Sequence, residues 1–260
     1  MTDDKKCFHL GISKNDLEGA TKAIVTGDPK RVKKIADTIG RSKKIGDRRE
    51  FTSYLTTIED EKVLIISTGI GGSSTSICVQ ELATLGVELY LRVGTTGAIQ
   101  DNINIGDLII VNGAVRMDGA SKDYAPLEYP AVSCHRALHC LEEACILLGE
   151  AGHYHVGITA STKTFYPGQE RYDTKSGMVP RSLEGSMEEL RKLNVLNYEM
   201  ESATLFTICS TMGLRAGCIL GVLATRAKSE HPDIKSHEEI EKRVIRAGIE
   251  GMRLMIETKY

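Results

Sequence analysis

The stretch KVLIISTGIGGSSTSICVQELATLG, residues 62–86, decides the fold. Residues 62–68 form an apolar run of strand length. Residues 73–86 carry apolar side chains at helical spacing and stop at Gly86. A strand, a glycine-rich turn and a helix in succession are the repeating unit of a sheet covered by helices.

The same alternation extends in both directions. ATKAIV (20–25), ELYLRVG (88–94), DLIIVNGAV (107–115), HYHVGITAS (153–161) and LRAGCILGVLAT (214–225) read as strands. Residues 134–152, 186–193, 202–213 and 237–257 read as helices, the second with Ser186 as N-cap and Glu189 three residues on. No repeat, linker or shift of composition divides the chain, so residues 1–260 are expected to form one α/β domain. Two polar excursions, 173–186 and 228–237, have the length and polarity of lids; a plain surface loop is the competing reading of the first.

Composition narrows the function. A formal net charge of -2 gives no field that attracts nucleic acid or an anionic membrane, so a ligand is recognised locally. Apolar residues make up 41% of the chain, enough for a core. No apolar run has the length to span a bilayer, and MTDDKKCFHL lacks the apolar centre of a signal peptide, so a cytoplasmic protein is expected. Seven scattered cysteines with no CxxC pair read as free thiols, several of them buried.

Three glycine-rich turns end predicted strands: TGDPKR (26–31), TGIGGSS (68–74) and RVGTTGAI (92–99). Glycines let the backbone approach a ligand, and N–H groups at strand-to-helix turns favour anions. The second turn fits a dinucleotide fingerprint poorly, because Ser74 replaces the third glycine and the following strand ends in Val93 and Gly94 without an acid. A P-loop is excluded by the absence of GxxxxGK[ST]. Arg31 and Arg92 flank the first and third turns, Arg49 is a third candidate, and Thr95 adds a hydroxyl. Guanidinium forks at such turns suit a small dianion, most naturally free phosphate.

NYEMESATLF (197–206) places Glu199 and Glu201 where a strand gives way to a helix. Two apart on an extended segment, they face one cavity, with Met200 opposite unless the backbone turns there. Carboxylates bind vicinal diols, so a ribose is a natural guest. The alternatives are that both acids are solvated or cap the helix that follows, and a glycosidase pair, whose retaining form needs carboxyls ~5–5.5 Å apart. In TFYPGQERYD (164–173), Phe165 offers a stacking ring, Gln169 a paired donor and acceptor, and Arg171 donors only. That set matches a pyrimidine edge of carbonyl, N–H and carbonyl; a turn at Pro167-Gly168 is the plainer reading. His135 and His139 share a helix face beside Cys134 and Cys140, but lack the further acid of a zinc motif.

Taken together, FHLGISKNDL, GDPKRV, REFTSY, STGIGGSSTSI, RVGTTGAIQ, TFYPGQERYDT, GSMEEL and NYEMESATL resemble, in order and spacing, the uridine phosphorylase branch of the nucleoside phosphorylase-I family. The resemblance implies a single domain whose mixed sheet is partly closed into a distorted barrel flanked by helices. It implies reversible phosphorolysis of uridine, with phosphate as co-substrate and no required cofactor. Carried over by motif, Gly27, Arg31, Arg92 and Thr95 bind phosphate, joined by Arg49 of a neighbouring subunit. Met200 and Glu201 hold the ribose, with Glu199 nearby and the neighbour's copy of His9 at the 5′-hydroxyl. Phe165, Gln169 and Arg171 hold uracil, bordered by Tyr198, Leu223 and Arg226. Arg92, Glu201 and Arg171 are the expected catalytic set. A homodimer is implied as the minimal active unit, with three dimers forming a hexamer and a monovalent cation such as K+ at Glu50, Ile70 and Ser74 of the dimer interface. Thr26 and Ser73 stand where relatives often carry proline. The late strand ends ATRAK, without the aspartate with which purine-cleaving members protonate their base, which favours a pyrimidine. A nucleosidase or purine phosphorylase of the same fold, and a non-catalytic nucleoside binder, are the alternatives.

Overall fold

The computed structural model describes residues 3–226 and 236–258. Its strands form one mixed sheet. The chain begins with β1 (Lys22–Thr26) and α1 (Pro29–Ile39), then a β-meander of β2 (Ser42–Arg48), β3 (Phe51–Ile58) and β4 (Glu61–Ser67). Next come α2 (Gly72–Leu85), β5 (Leu89–Ala98), β6 (Leu108–Met117), β7 (Ala131–Val132), α3 (His135–Leu147) and β8 (Tyr154–Thr162). The last part holds α4 (Ser186–Lys192), β9 (Asn197–Glu199), α5 (Ser202–Thr211), β10 (Arg215–Thr225) and α6 (His237–Glu257).

The sheet order is β2-β3-β4-β1-β5-β9-β8-β6-β10, with β7 paired to β6. β10 returns to pair in parallel with β5 along most of its length. Strands β5, β9, β8, β6 and β10 therefore close a five-stranded barrel, and β1 to β4 extend from it as an open wing. The expected distorted barrel is present, and β5 belongs to both parts. On one edge, β1 pairs with Leu89 to Arg92 and β9 with Gly97 and Ala98. Residues 93–96 span the gap between them, at the point where the sheet changes partner. Ligands gather at such switch points.

Successive strand side chains face opposite sides, so a sheet covered on both faces needs apolar residues at nearly every position. Along β1, Ala23 and Val25 enter one core while Ile24 enters the other. Along β4, Leu64 and Ile66 alternate with Val63 and Ile65 in the same way. α2 and α5 cover the first face through Val79, Leu82, Leu205 and Phe206. α1, α3 and α6 cover the second through Val32, Ile35, Leu141 and Val244. Each fully buried side chain of this kind contributes about 1.5–3 kcal/mol.

The sequence assigned no element to residues 29–58, where α1, β2 and β3 lie. The Asp28 side chain caps α1 by accepting from the Lys30 N–H at 2.9 Å, and Pro29 occupies the first turn. Ser186 is not an N-cap: Gly185 holds that position, and the Glu170 carboxylate accepts from the N–H groups of Gly185 at 2.5 Å and Met187 at 2.7 Å. Of the lid candidate at 228–237, only Ser236 and His237 fall within the described residues, where they open α6. All seven cysteines are free. Among the described residues no helix is long and apolar enough to cross a membrane, and no cluster of three or more ligating side chains suits a metal ion.

Two outcomes test the packing. A Cβ at Gly248 of α6 would lie 2.4 Å from Val93 Cγ2 of β5. Gly248→Ala therefore overpacks this contact and lowers stability by about 1–3 kcal/mol, read by thermal melting; an unchanged midpoint contradicts it. Asp107 accepts from the Asn104 N–H at 2.9 Å and lies 3.0 Å from His155 Nε2. Burial works to raise its pKa, but these partners outweigh burial and hold it below the usual carboxylate value. A depressed native pKa means stability present above the unfolded value and lost as pH falls toward the native one. Asp107→Asn costs about 1.5–3 kcal/mol at pH 7. Denaturant titrations should find the gap from wild type narrowing as pH drops through about 3.9 and below; a pH-independent gap removes the assignment.

Candidate active site

A cavity of about 640 Å3 opens at the gap beside β5. The ends of β1, β4, β5 and β9 converge on it. The β1 and β4 turns abut there, with the Thr68 N–H donating to the Thr26 carbonyl at 2.7 Å. Gly69 and Gly71 both have positive φ, at 71° and 86°, which only glycine adopts freely. A side chain at Gly69 would strike Ser74 Oγ at 2.6 Å and Glu50 Cγ at 2.7 Å. The fold thus keeps this corner free of side chains.

Gly27, Arg31, Arg92 and Thr95 line the cavity, together with Glu199, Met200 and Glu201 and with Phe165, Gln169, Arg171, Tyr198 and Leu223. β9 stops at Glu199, and Glu201 turns to φ -129°, ψ -28° as α5 begins. The strand alternation ends there, so Met200 joins both acids in the cavity wall.

The two acids are unequal. Glu199 accepts from the backbone N–H of Glu201 at 2.9 Å and of Ser202 at 2.9 and 3.1 Å. It also accepts from the Ser202 hydroxyl at 2.9 Å, from the Ser161 hydroxyl, and from Arg92 Nε at 3.3 Å. Its oxygens are saturated, and it anchors the N-terminus of α5, where the helix dipole favours negative charge. The helix-capping alternative is therefore right for Glu199. Glu201 has fewer partners: Arg92 Nη2 at 2.5 Å and the Gly71 N–H at 2.6 Å. Burial pushes its carboxyl above the ordinary value, with the Arg92 guanidinium opposing. For Arg92 itself, burial works against the charge, but Glu201 and Glu199 outweigh it and raise its pKa further. Arg92 is thus held as a cation between two carboxylates.

The Arg171 guanidinium lies 4.2 Å from the centre of the Phe165 ring, a cation–π contact. Gln169 is buried and its Nε2 donates to Thr162 Oγ1 at 3.3 Å. Arg226 does not line the cavity. It lies behind the loop, donating to the carbonyls of Gln169 and Glu170, with its guanidinium 5.5 Å from the Tyr198 ring centre. It holds the segment around Gln169 and Glu170, which Glu170 also ties to α4.

His9 and Arg49 lie outside the chain's own cavity lining. Glu81 of α2 fixes His9: its carboxylate lies 2.7 Å from Nδ1 and accepts the His9 N–H at 3.0 and 3.1 Å. That leaves Nε2 as the ring nitrogen free of this anchor. Glu50 and Ser74 meet, with Ser74 Oγ donating to Glu50 Oε1 at 2.8 Å, and exposed Ile70 lies beside them on the cavity rim.

Several supporting residues, some of them inside the quoted motifs, have roles that the sequence did not assign. Thr96 and Gly97 line the cavity. Thr96 Oγ1 donates to the Tyr198 carbonyl at 2.6 Å, and Asn197 Nδ2 donates to Thr96 Oγ1 at 2.7 Å. Ser161 ties Glu199 to the Ala203 N–H, which donates to its Oγ at 2.8 Å. Hydroxyls within apolar strands were the available signal, since each needs a partner when buried.

Comparison with known proteins matches this arrangement to a family. The sequence profile of the Phosphorylase superfamily covers residues 21–257. A uridine phosphorylase of Escherichia coli (strain K12) is 50% identical over 249 residues, covering 96% of this chain and 98% of that protein. A uridine phosphorylase of Thermococcus kodakarensis is 42% identical over 230 residues, 88% of this chain and 81% of that protein. A guanosine phosphorylase of Halorubrum lacusprofundi is 35% identical, with 89% of each chain covered. With its barrel, its arginine-lined turns and its paired acids in one cavity, the chain belongs to the phosphorylase superfamily.

Proposed function

We propose that this protein catalyses the reversible phosphorolysis of uridine to uracil and ribose 1-phosphate. The observation that carries the reading is one cavity lined by Gly27, Arg31, Arg92, Glu199, Glu201, Gln169 and Arg171, in which Arg92 bonds both acids. The 50% identity to a uridine phosphorylase supports uridine as the nucleoside.

In this reading Gly27, Arg31, Arg92 and Thr95 seat inorganic phosphate, and Glu201 with Met200 orients the ribose. Positioning of the two reactants supplies much of the acceleration. A phosphate oxygen attacks C1′ as the C1′–N1 bond stretches, and negative phosphate stabilises the positive sugar between them. The bonding pair leaves with uracil, whose charge spreads over its two carbonyls. Arg171, stacked on Phe165, and Gln169 stabilise that anion, and solvent then protonates it. No cofactor takes part in these steps.

The complete site is proposed to be shared between two chains, with His9 and Arg49 of one serving the cavity of its partner. Their position outside their own chain's cavity supports this, as does the fixing of His9 by Glu81. A homodimer is then the minimal active unit, and three dimers build a hexamer. Glu50, Ile70 and Ser74 gather oxygen donors of the kind hard cations prefer, and K+ held there would neutralise the carboxylates at the interface. Pyrimidine nucleoside salvage is the role this chemistry would serve, and seven free cysteines accord with a reducing cytoplasm.

Uridine turnover measured with phosphate varied tests the reading. Turnover should require phosphate and yield ribose 1-phosphate; equal rates in its absence would establish a nucleosidase instead. Across uridine, thymidine, cytidine and inosine, uridine should be cleaved fastest, and faster cleavage of inosine would move the assignment to a purine. Arg171→Ala should lower kcat by about 10²–10³, the usual cost of removing a donor to a developing anion. A kcat within twofold of wild type would take Arg171 out of that role.

A further inference from the structure

Arg31 lines the anion end of the cavity, yet two of its three nitrogens are engaged away from it. Its Nη1 donates to Thr26 Oγ1 at 3.2 Å, and its Nε donates to Glu241 Oε1 at 2.7 Å. Glu241 comes from α6, 210 residues along the chain, and does not itself line the cavity. Its side chain is 2% exposed and that of Arg31 7%. Its second oxygen, Oε2, accepts from Lys34 of α1. Burial works to raise the Glu241 pKa, but Lys34 and Arg31 outweigh it and hold the carboxyl below its ordinary value.

A buried carboxylate beside an anion site is costly on simple charge grounds, since it repels the anion that the site must attract. Its placement opposes that cost. Glu241 holds Nε of the guanidinium and Thr26 holds Nη1, which fixes the group while leaving Nη2 without a partner among the described residues. A long side chain fixed in advance loses less entropy when its ligand arrives. With Lys34 also attached, two cations face one carboxylate, so the cluster remains positive toward the cavity.

We propose that Glu241 is a positioning residue for phosphate: it acts only through Arg31, holding the guanidinium in the orientation that receives the anion. This rests on the phosphorolysis reading above. It also gives α6, which the sequence marked only as a helix, a direct connection to the anion site.

The test is calorimetric titration of inorganic phosphate into the full-length protein without nucleoside. Glu241→Ala should weaken phosphate binding about tenfold or more, as loss of a charged hydrogen bond implies. Glu241→Gln, which keeps an acceptor of the same reach, should recover most of the loss. On an Arg31→Ala background, Glu241→Ala should change nothing further. In steady state, the Glu241→Ala loss should fall on the KM for phosphate and leave the KM for uridine within about twofold. Unchanged or tighter phosphate binding by Glu241→Ala would overturn the proposal, because it would mean that charge repulsion outweighs orientation. A further loss on the Arg31→Ala background would overturn it as well. If Glu241→Ala does not fold, Glu241→Asp draws the carboxylate back by one methylene and should weaken binding measurably; wild-type affinity would refute the role. Failure of the wild-type protein itself to bind phosphate would instead overturn the phosphorolysis reading.

Discussion

The site depends on one buried ionic set: the Arg92 guanidinium shared between Glu199 and Glu201. Three charged side chains in a protein interior are expensive unless each is paired and its remaining donors and acceptors are met. Glu199 meets this condition through the N-terminus of α5, Ser161 and Ser202. Glu201 meets it through the Gly71 N–H, on the β4–α2 turn whose positive φ at Gly69 and Gly71 favours glycine. The surroundings are organised by the same set. Cys218 Sγ lies 3.4 Å from Ser202 Oγ, and burial pushes that thiol up to about 12, keeping it neutral beside the charges.

The barrel makes this set possible. β5 carries Arg92 at the last position where it pairs with β1, and by Gly97 it pairs with β9. The departure of one neighbour and arrival of another opens the edge of the sheet at Thr95 and Thr96. β9 delivers Tyr198 and Glu199 to the far side of the same opening. Arg92, Thr95, Thr96, Tyr198 and Glu199 are thus brought to one cavity where the sheet changes partner.

Much of this was legible in the sequence. Residues 62–86 carry the strand, turn and helix that set the architecture, and apolar runs mark β5, β6, β8 and β10. The meander was harder to read. β2 is an exposed edge strand, SKKIGDR, whose polar composition hides it, and β9 is only three residues long. α1 was overlooked although Val32, Ile35, Ala36 and Ile39 follow Asp28 and Pro29 at helical spacing. In the site, the arginines and acids stood out because such residues at glycine turns are unusual. Their division of labour did not, since strand alternation treats Glu199 and Glu201 alike and the turn at Met200 breaks that symmetry. Glu81, Ser161 and Glu241 act on the site from distant segments, and local pattern carries no trace of such contacts.

The most direct measurement is a double-mutant cycle on kcat/KM for uridine at fixed phosphate, comparing Arg92→Ala, Glu201→Ala and the pair. If the guanidinium and the carboxylate work as one unit, the double variant should lose about as much as the worse single variant. Losses that multiply would mean that the two residues act independently, and would contradict the shared ionic set as the basis of the site.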